Sequence, residues 1–135
     1  MTGTEIIHEG GCRCGAVRYR MVGRHTYSGI CHCSDCRRAT GGAYVPWFGS
    51  DPSNFSVTEG KISEYESSPG TWRGFCRTCG SPLTFRGEGW NDVAITIASL
   101  DDQNAITPES NVYLKERLHW VTFNEDMRNY DGFPE

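Results

Sequence analysis

Alternation of apolar and polar side chains is the first signal in this chain, and it comes in short bursts. Val17, Tyr19 and Met21 alternate with Arg18 and Arg20, the period of two expected of a half-buried strand. Val93, Ile95 and Ile97 alternate with Ala94, Thr96 and Ala98 and predict the most clearly buried strand. Phe55 and Val57 run into a Glu59-Gly60 turn, from which residues 62–65 return as the partner strand. Further short strands are predicted at residues 4–7, 27–30, 44–48, 72–75, 83–86 and 112–114, with Pro46 marking an edge or a bulge. One helical turn is expected from an N-cap at Ser34 through Arg38, stopped by Gly41-Gly42. Ser67-Ser68-Pro69-Gly70 reads as a loop, Asp101-Asp102 as a turn or short helix, and the tail from Asn124 as loosely held. The predicted fold class is mainly β, with short strands and short helical turns. No repeat, linker or low-complexity segment interrupts it.

Composition narrows the picture without changing it. A chain of 135 residues is one domain, taken as 1–135, and its 16 glycines favour a turn-rich architecture. A net charge of −4 and a pI near 5.5 argue against a general nucleic-acid binder, which needs a basic field. Residues 1–10 lack the basic region and apolar run of a signal peptide, and no stretch approaches a membrane span. The expectation is a cytoplasmic protein, with no membrane contact and with reduced thiols.

The candidate chemistry lies in seven cysteines, grouped as Cys12/Cys14, Cys31/Cys33/Cys36 and Cys76/Cys79. An odd count and two Cys-x-Cys spacings make a disulfide framework a poor account. Packing does not call for three thiols on one tight turn either, whereas zinc does, binding thiolates at about 2.3 Å in a tetrahedron. Cys12, Cys14, Cys76 and Cys79 make a full set of four ligands. Each half of that set ends in a glycine, and Gly15 is expected at positive φ. Cys31, Cys33 and Cys36 are one ligand short. His25, His32 or His119 would close the set, His32 least readily because it lies between two of the ligands. Left open, the site would take a thiol as thiolate or polarise a carbonyl, from a centre that is formally negative. Arg37 and Arg38 follow at once and are candidates to bind the carboxylates of an anionic substrate, against the alternative of a solvated surface pair. Tyr44, Trp47 and Phe48 would wall a pocket or pack in the core. His119, beside Trp120, is a ligand, an acid/base group or a plain surface histidine.

Three blocks carry a resemblance: Gly11-Cys12-Arg13-Cys14-Gly15-Ala16-Val17-Arg18-Tyr19, Cys31-His32-Cys33-Ser34-Asp35-Cys36-Arg37-Arg38 and Phe75-Cys76-Arg77-Thr78-Cys79-Gly80-Ser81-Pro82-Leu83. In order and spacing they resemble the signature blocks of the glutathione-dependent formaldehyde-activating enzyme and centromere protein V family. A weaker fourth block runs from Leu100-Asp101-Asp102 through Pro108 to Trp120. The resemblance implies a β-tent of small antiparallel sheets with two zinc ions per chain. Cys12, Cys14, Cys76 and Cys79 would hold the structural zinc, and Cys31, Cys33 and Cys36 the catalytic one. The implied activity is that of S-(hydroxymethyl)glutathione synthase, a carbon–sulfur lyase run in reverse, with glutathione as the small thiol substrate. The alternatives are a family enzyme with a different thiol, or a non-catalytic zinc module that binds a protein, as the centromere branch suggests. Neither the oligomeric state nor a general base is legible. One departure is plain: where members often carry a histidine after the proline of the fourth block, this chain has Asn111.

Overall fold

The computed structural model describes residues 5–134. Three strands, β1 (Ile7–Gly11), β2 (Arg18–Val22) and β5 (Phe55–Glu59), make an antiparallel sheet in the order β1-β2-β5. The other eight are β3 (Ser28–Cys31), β4 (Val45–Ser50), β6 (Ser63–Ser68), β7 (Thr71–Phe75), β8 (Pro82–Gly87), β9 (Val93–Thr96), β10 (Ser110–Val112) and β11 (Arg128–Asn129). They form a second sheet in the order β11-β10-β3-β4-β9-β8-β7-β6. The protein is mainly β, as its alternation predicts. Its larger sheet is mixed, because β10 runs parallel to both β3 and β11.

Period two decides which residues meet. On β4 and β9, in register at Phe48 and Ile95, the side chains of Phe48, Val93 and Ile95 face the three-stranded sheet. There they join Tyr19, Met21, Leu83, Cys12 and Cys76 in one core. Val45, Trp47 and Ala94 take the opposite face and meet Cys31, Cys36 and Val112 in a second core. Phe48, Leu83 and Ile95 are fully buried, each contributing about 1.5–3 kcal/mol. Trp47 and Phe48 are therefore core residues, whereas Tyr44 stays exposed.

Several boundaries differ from the sequence reading for local reasons. The first strand is displaced to Ile7–Gly11, and Thr4, where it was expected to begin, lies outside the described residues. The strand includes two glycines because a Cβ at Gly10 would stand 2.4 Å from the Ser99 carbonyl oxygen. Ile97 leaves β9 for a 3-10 turn, Ile97–Ser99. The tail is not loose. β11 pairs with β10, and Tyr113 and Leu114 donate amides to Gly132 and Tyr130. The helix α1 (Ser34–Thr40) is longer than one turn, and Gly41 closes it by donating to the Arg37 carbonyl.

Tyr19 ties the three-stranded sheet to the 3-10 turn after β9 through a 2.6 Å hydrogen bond with the Ser99 hydroxyl. Burial pushes its phenol up to about 12, against a smaller downward pull from Ser99. The folded protein therefore keeps this proton where the unfolded chain, ionising at about 10, has lost it. Its contribution is complete below pH ~10 and is lost as pH rises through about 12. In Tyr19→Phe that share of alkaline destabilisation should vanish, with about 1 kcal/mol lost at neutral pH. Urea unfolding at pH 8 and pH 11 checks this; equal alkaline losses in both proteins would contradict it.

Candidate metal centres

The first group is built from two turns. Cys12 and Cys14 follow β1, where the Cys12 amide donates to the Val17 carbonyl and the Gly15 amide to the Cys12 carbonyl. Cys76 and Cys79 follow β7 in the same manner, with the Gly80 amide on the Cys76 carbonyl at 2.7 Å. Gly15 and Gly80 have φ of 82° and 81°, a region closed to most side chains, so each glycine lets its turn reverse. The Arg13 amide donates to the Ser81 hydroxyl, stitching one turn to the other. The four sulfurs lie within 4.8 Å of one another, with Cys12–Cys14 at 3.6 Å and Cys14–Cys76 at 3.8 Å. A zinc tetrahedron with 2.3 Å bonds has edges of ~3.8 Å, so the donor set fits that ion. The Val17 amide donates to the Cys12 sulfur. The Ser81 hydroxyl holds the Cys79 thiol down to about 5. The Ala16 amide pulls the Cys14 thiol down, but its sulfur neighbours outweigh that and raise it to about 11.

The second group stands on the opposite face of the large sheet. β3 delivers Cys31, and α1 carries Cys36. Cys33 is the N-cap of α1, its sulfur accepting the Cys36 amide at 3.3 Å, a role the sequence reading gave to Ser34. Cys31 lies 3.3 Å from Cys33 sulfur to sulfur, and all three sulfurs fall within 4.8 Å. Cys33 is the hub. The Cys31 and Cys36 thiols donate to it and, with Arg73 helping, hold it far below the ordinary thiol range. Cys31 is pushed up chiefly by sharing its proton with Cys33, and then by Cys36 and burial. Among the described residues, no histidine or carboxylate joins this trio within the same reach.

The candidate histidines are placed elsewhere. His32 is buried with Nε2 2.9 Å from the Asn111 side-chain oxygen, and Asn111 in turn donates to Asn129 at 3.0 Å. Asn111 thus links the buried His32 to Asn129 on β11. His119 is exposed, and His25 lies beside His8, whose pKa it helps to lower after burial has done so. Arg37 donates to the main-chain oxygens of His32 and, at 2.7 Å, Glu116, which straps α1 to the segment after β10. Arg38 is exposed, in a cleft of about 390 Å³ with Ser34, Gly42, Leu118 and Trp120. Tyr44 lines a separate cleft of about 600 Å³ on the side of Cys12.

Two residues beside the trio escaped sequence reasoning. Arg73 on β7 is buried, donates to the Cys36 sulfur at 3.7 Å and lies 4.4 Å from the Phe85 ring centre. Tyr113 packs on the same core at φ 57°, the left-handed region, in a non-glycine residue. Burial, followed by the charges of Cys31 and Cys33, raises its phenol, so it remains a hydrogen-bond donor. Neither signal is periodic, and sequence spacing carries no mark of either.

Four thiols on one face and three on the other define a small β protein organised around two groups suited to metal ions. The chain belongs to the glutathione-dependent formaldehyde-activating enzyme family, whose model matches residues 7–116. A Halomonas elongata protein named "Putative glutathione-dependent formaldehyde-activating enzyme" is 34% identical over 143 residues, covering 96% of this chain and 90% of its own. A Schizosaccharomyces pombe protein named as an uncharacterised lyase is 28% identical over 78 residues, covering 58% of this chain and 56% of its own. In fold, the chain is similar to the crystal structure of a Rhodobacter sphaeroides protein at TM-score 0.58 and 24% identity, covering 74% and 91% of the two chains.

Proposed function

We propose that residues 1–135 act as a single zinc-binding domain that joins glutathione to formaldehyde, and splits the same adduct as a carbon–sulfur lyase. The observation that carries this reading is the trio Cys31/Cys33/Cys36, three mutually close sulfurs with no fourth histidine or carboxylate among the described residues. Zinc held by that trio would supply a means of keeping a thiol deprotonated at neutral pH. Cys12, Cys14, Cys76 and Cys79 would hold a second, structural zinc.

The reaction balances without an oxidant. The glutathione sulfur adds to the carbonyl carbon, a carbon–sulfur bond forms, and the thiol proton ends on the former carbonyl oxygen. Tyr113, packed against the core that holds Cys31 and Cys36, is suited to donate to that oxygen. Arg38, with no carboxylate within 4.0 Å among the described residues, is free to bind a glutathione carboxylate. Arg37 already serves two main-chain carbonyls, so its share in substrate binding is to position the helix that carries Arg38. Tyr27, Trp47, Phe85 and Tyr130 pack around the trio and keep it dry on the inner side. Seven cysteines outside any disulfide suit a reducing compartment such as the cytoplasm.

Thiol and aldehyde already react in water, so the gain expected is largely one of proximity. Adduct formation followed by NMR at millimolar glutathione should be accelerated saturably over the uncatalysed rate. An unchanged rate would reject this substrate pair. A panel of other thiols would then separate a family enzyme of different specificity from a protein without turnover.

A further inference from the structure

We propose that Arg73 is the counter-ion of the three-thiol group, the buried positive charge that lets an anionic metal–thiolate centre exist inside the fold. The proposal rests on reading that trio as a metal site. Arg73 is 8% exposed and forms no ion pair among the described residues. A buried guanidinium without a carboxylate is strongly unfavourable unless another anion faces it. What faces it is the Cys36 sulfur, 3.7 Å from Nη2, while the Phe85 ring covers its face at 4.4 Å.

Charge counting makes the match specific. Three thiolates around a divalent ion carry one net negative charge, and one arginine cancels it. The four-thiol group is arranged differently: Cys14 and Cys79 are exposed, so water screens its charge and no buried cation is needed there. The residue type fits too. A guanidinium can donate to sulfur along its edge while stacking on an aromatic face, which an ammonium does less well. The formally negative centre expected from thiol counting alone becomes neutral once Arg73 is included. A glutathione molecule, itself an anion, then meets a centre that does not repel it. Arg73 is in this sense a positioning residue, acting through Cys36.

Cobalt(II) titration of the metal-free protein, read by its thiolate charge-transfer absorption and by competition with a chelator, tests this without any turnover. The wild type should take two ions per chain. Arg73→Met should keep the first and bind the second about 10- to 100-fold more weakly, with a shifted charge-transfer band. Arg73→Lys, which keeps the charge, should recover most of that loss. An Arg73→Met protein with wild-type affinity and spectrum at the second site would overturn the proposal. So would an Arg73→Lys protein as impaired as Arg73→Met. If the methionine variant does not fold, Arg73→Gln takes its place against the same two criteria. A wild type that takes only one ion would instead sink the metal-site reading beneath it, an outcome distinct from either.

Discussion

Cys76→Ser is expected to leave the chain unable to fold. Cys76 is 1% exposed and shares a core with Tyr19, Phe48 and Leu83, while its sulfur stands 3.8 Å from Cys14. It ties the turn after β7 to the turn after β1, and so the large sheet to the small one. Structural zinc in small cysteine sites contributes apparent free energies of about 10–16 kcal/mol at neutral pH. Domains of this size have total stabilities of about 5–15 kcal/mol, so the loss of that link outweighs what the cores supply. Circular dichroism melting and gel filtration should show a non-cooperative or aggregated protein, and a strong chelator should do the same to the wild type. A variant with an unchanged melting curve would show that the four thiols bear no structural load.

Cys33→Ser should behave in the opposite way, with the fold retained and the chemistry lost. Serine is among the preferred N-caps, so its hydroxyl can take over the Cys36 amide that the Cys33 sulfur now accepts. The helix should survive, with a change in stability below about 1 kcal/mol. The trio, however, loses the sulfur on which Cys31 and Cys36 converge, and a hydroxyl is a far poorer ligand for a soft metal. Metal content should fall from two ions to one, and adduct formation should fall to the uncatalysed rate. Retained acceleration in a well-folded Cys33→Ser protein would remove the trio from the reaction. If the wild type has no turnover and the variant merely binds a protein partner less well, the non-catalytic module is the better account.

Within each block the short Cys spacings fix the sulfurs near one another whatever the surrounding fold, and the count of four ligands is what marked Cys12/Cys14 and Cys76/Cys79 as one group, which only the fold brings together. The strands around Tyr19 and Ile95 were legible for a similar reason, since period two survives in any half-buried sheet. What escaped depends on contacts far apart in sequence. β11 is two residues long and has no periodicity; its existence follows from Asn111 and Asn129 meeting across the parallel pair. Arg73 reads as an ordinary polar position of a strand, and only the fold brings it under Phe85 and onto Cys36. Arg37 and Arg38 look equivalent in sequence, yet one is consumed by main-chain carbonyls and the other is exposed. Cys33 displaced Ser34 as the cap because a sulfur can accept an amide much as a hydroxyl does, and it sits one residue earlier on the helix.

Of all these tests, the ligand count at the metals bears most directly on the trio. Zinc analysis combined with X-ray absorption should give two ions per chain and an average of about 3.5 sulfurs per ion, the remainder a light atom without the scattering pattern of imidazole. One ion per chain would leave the trio without a metal, and a histidine ring bound at the second ion would fill the position meant for a substrate; either result would end the proposed chemistry.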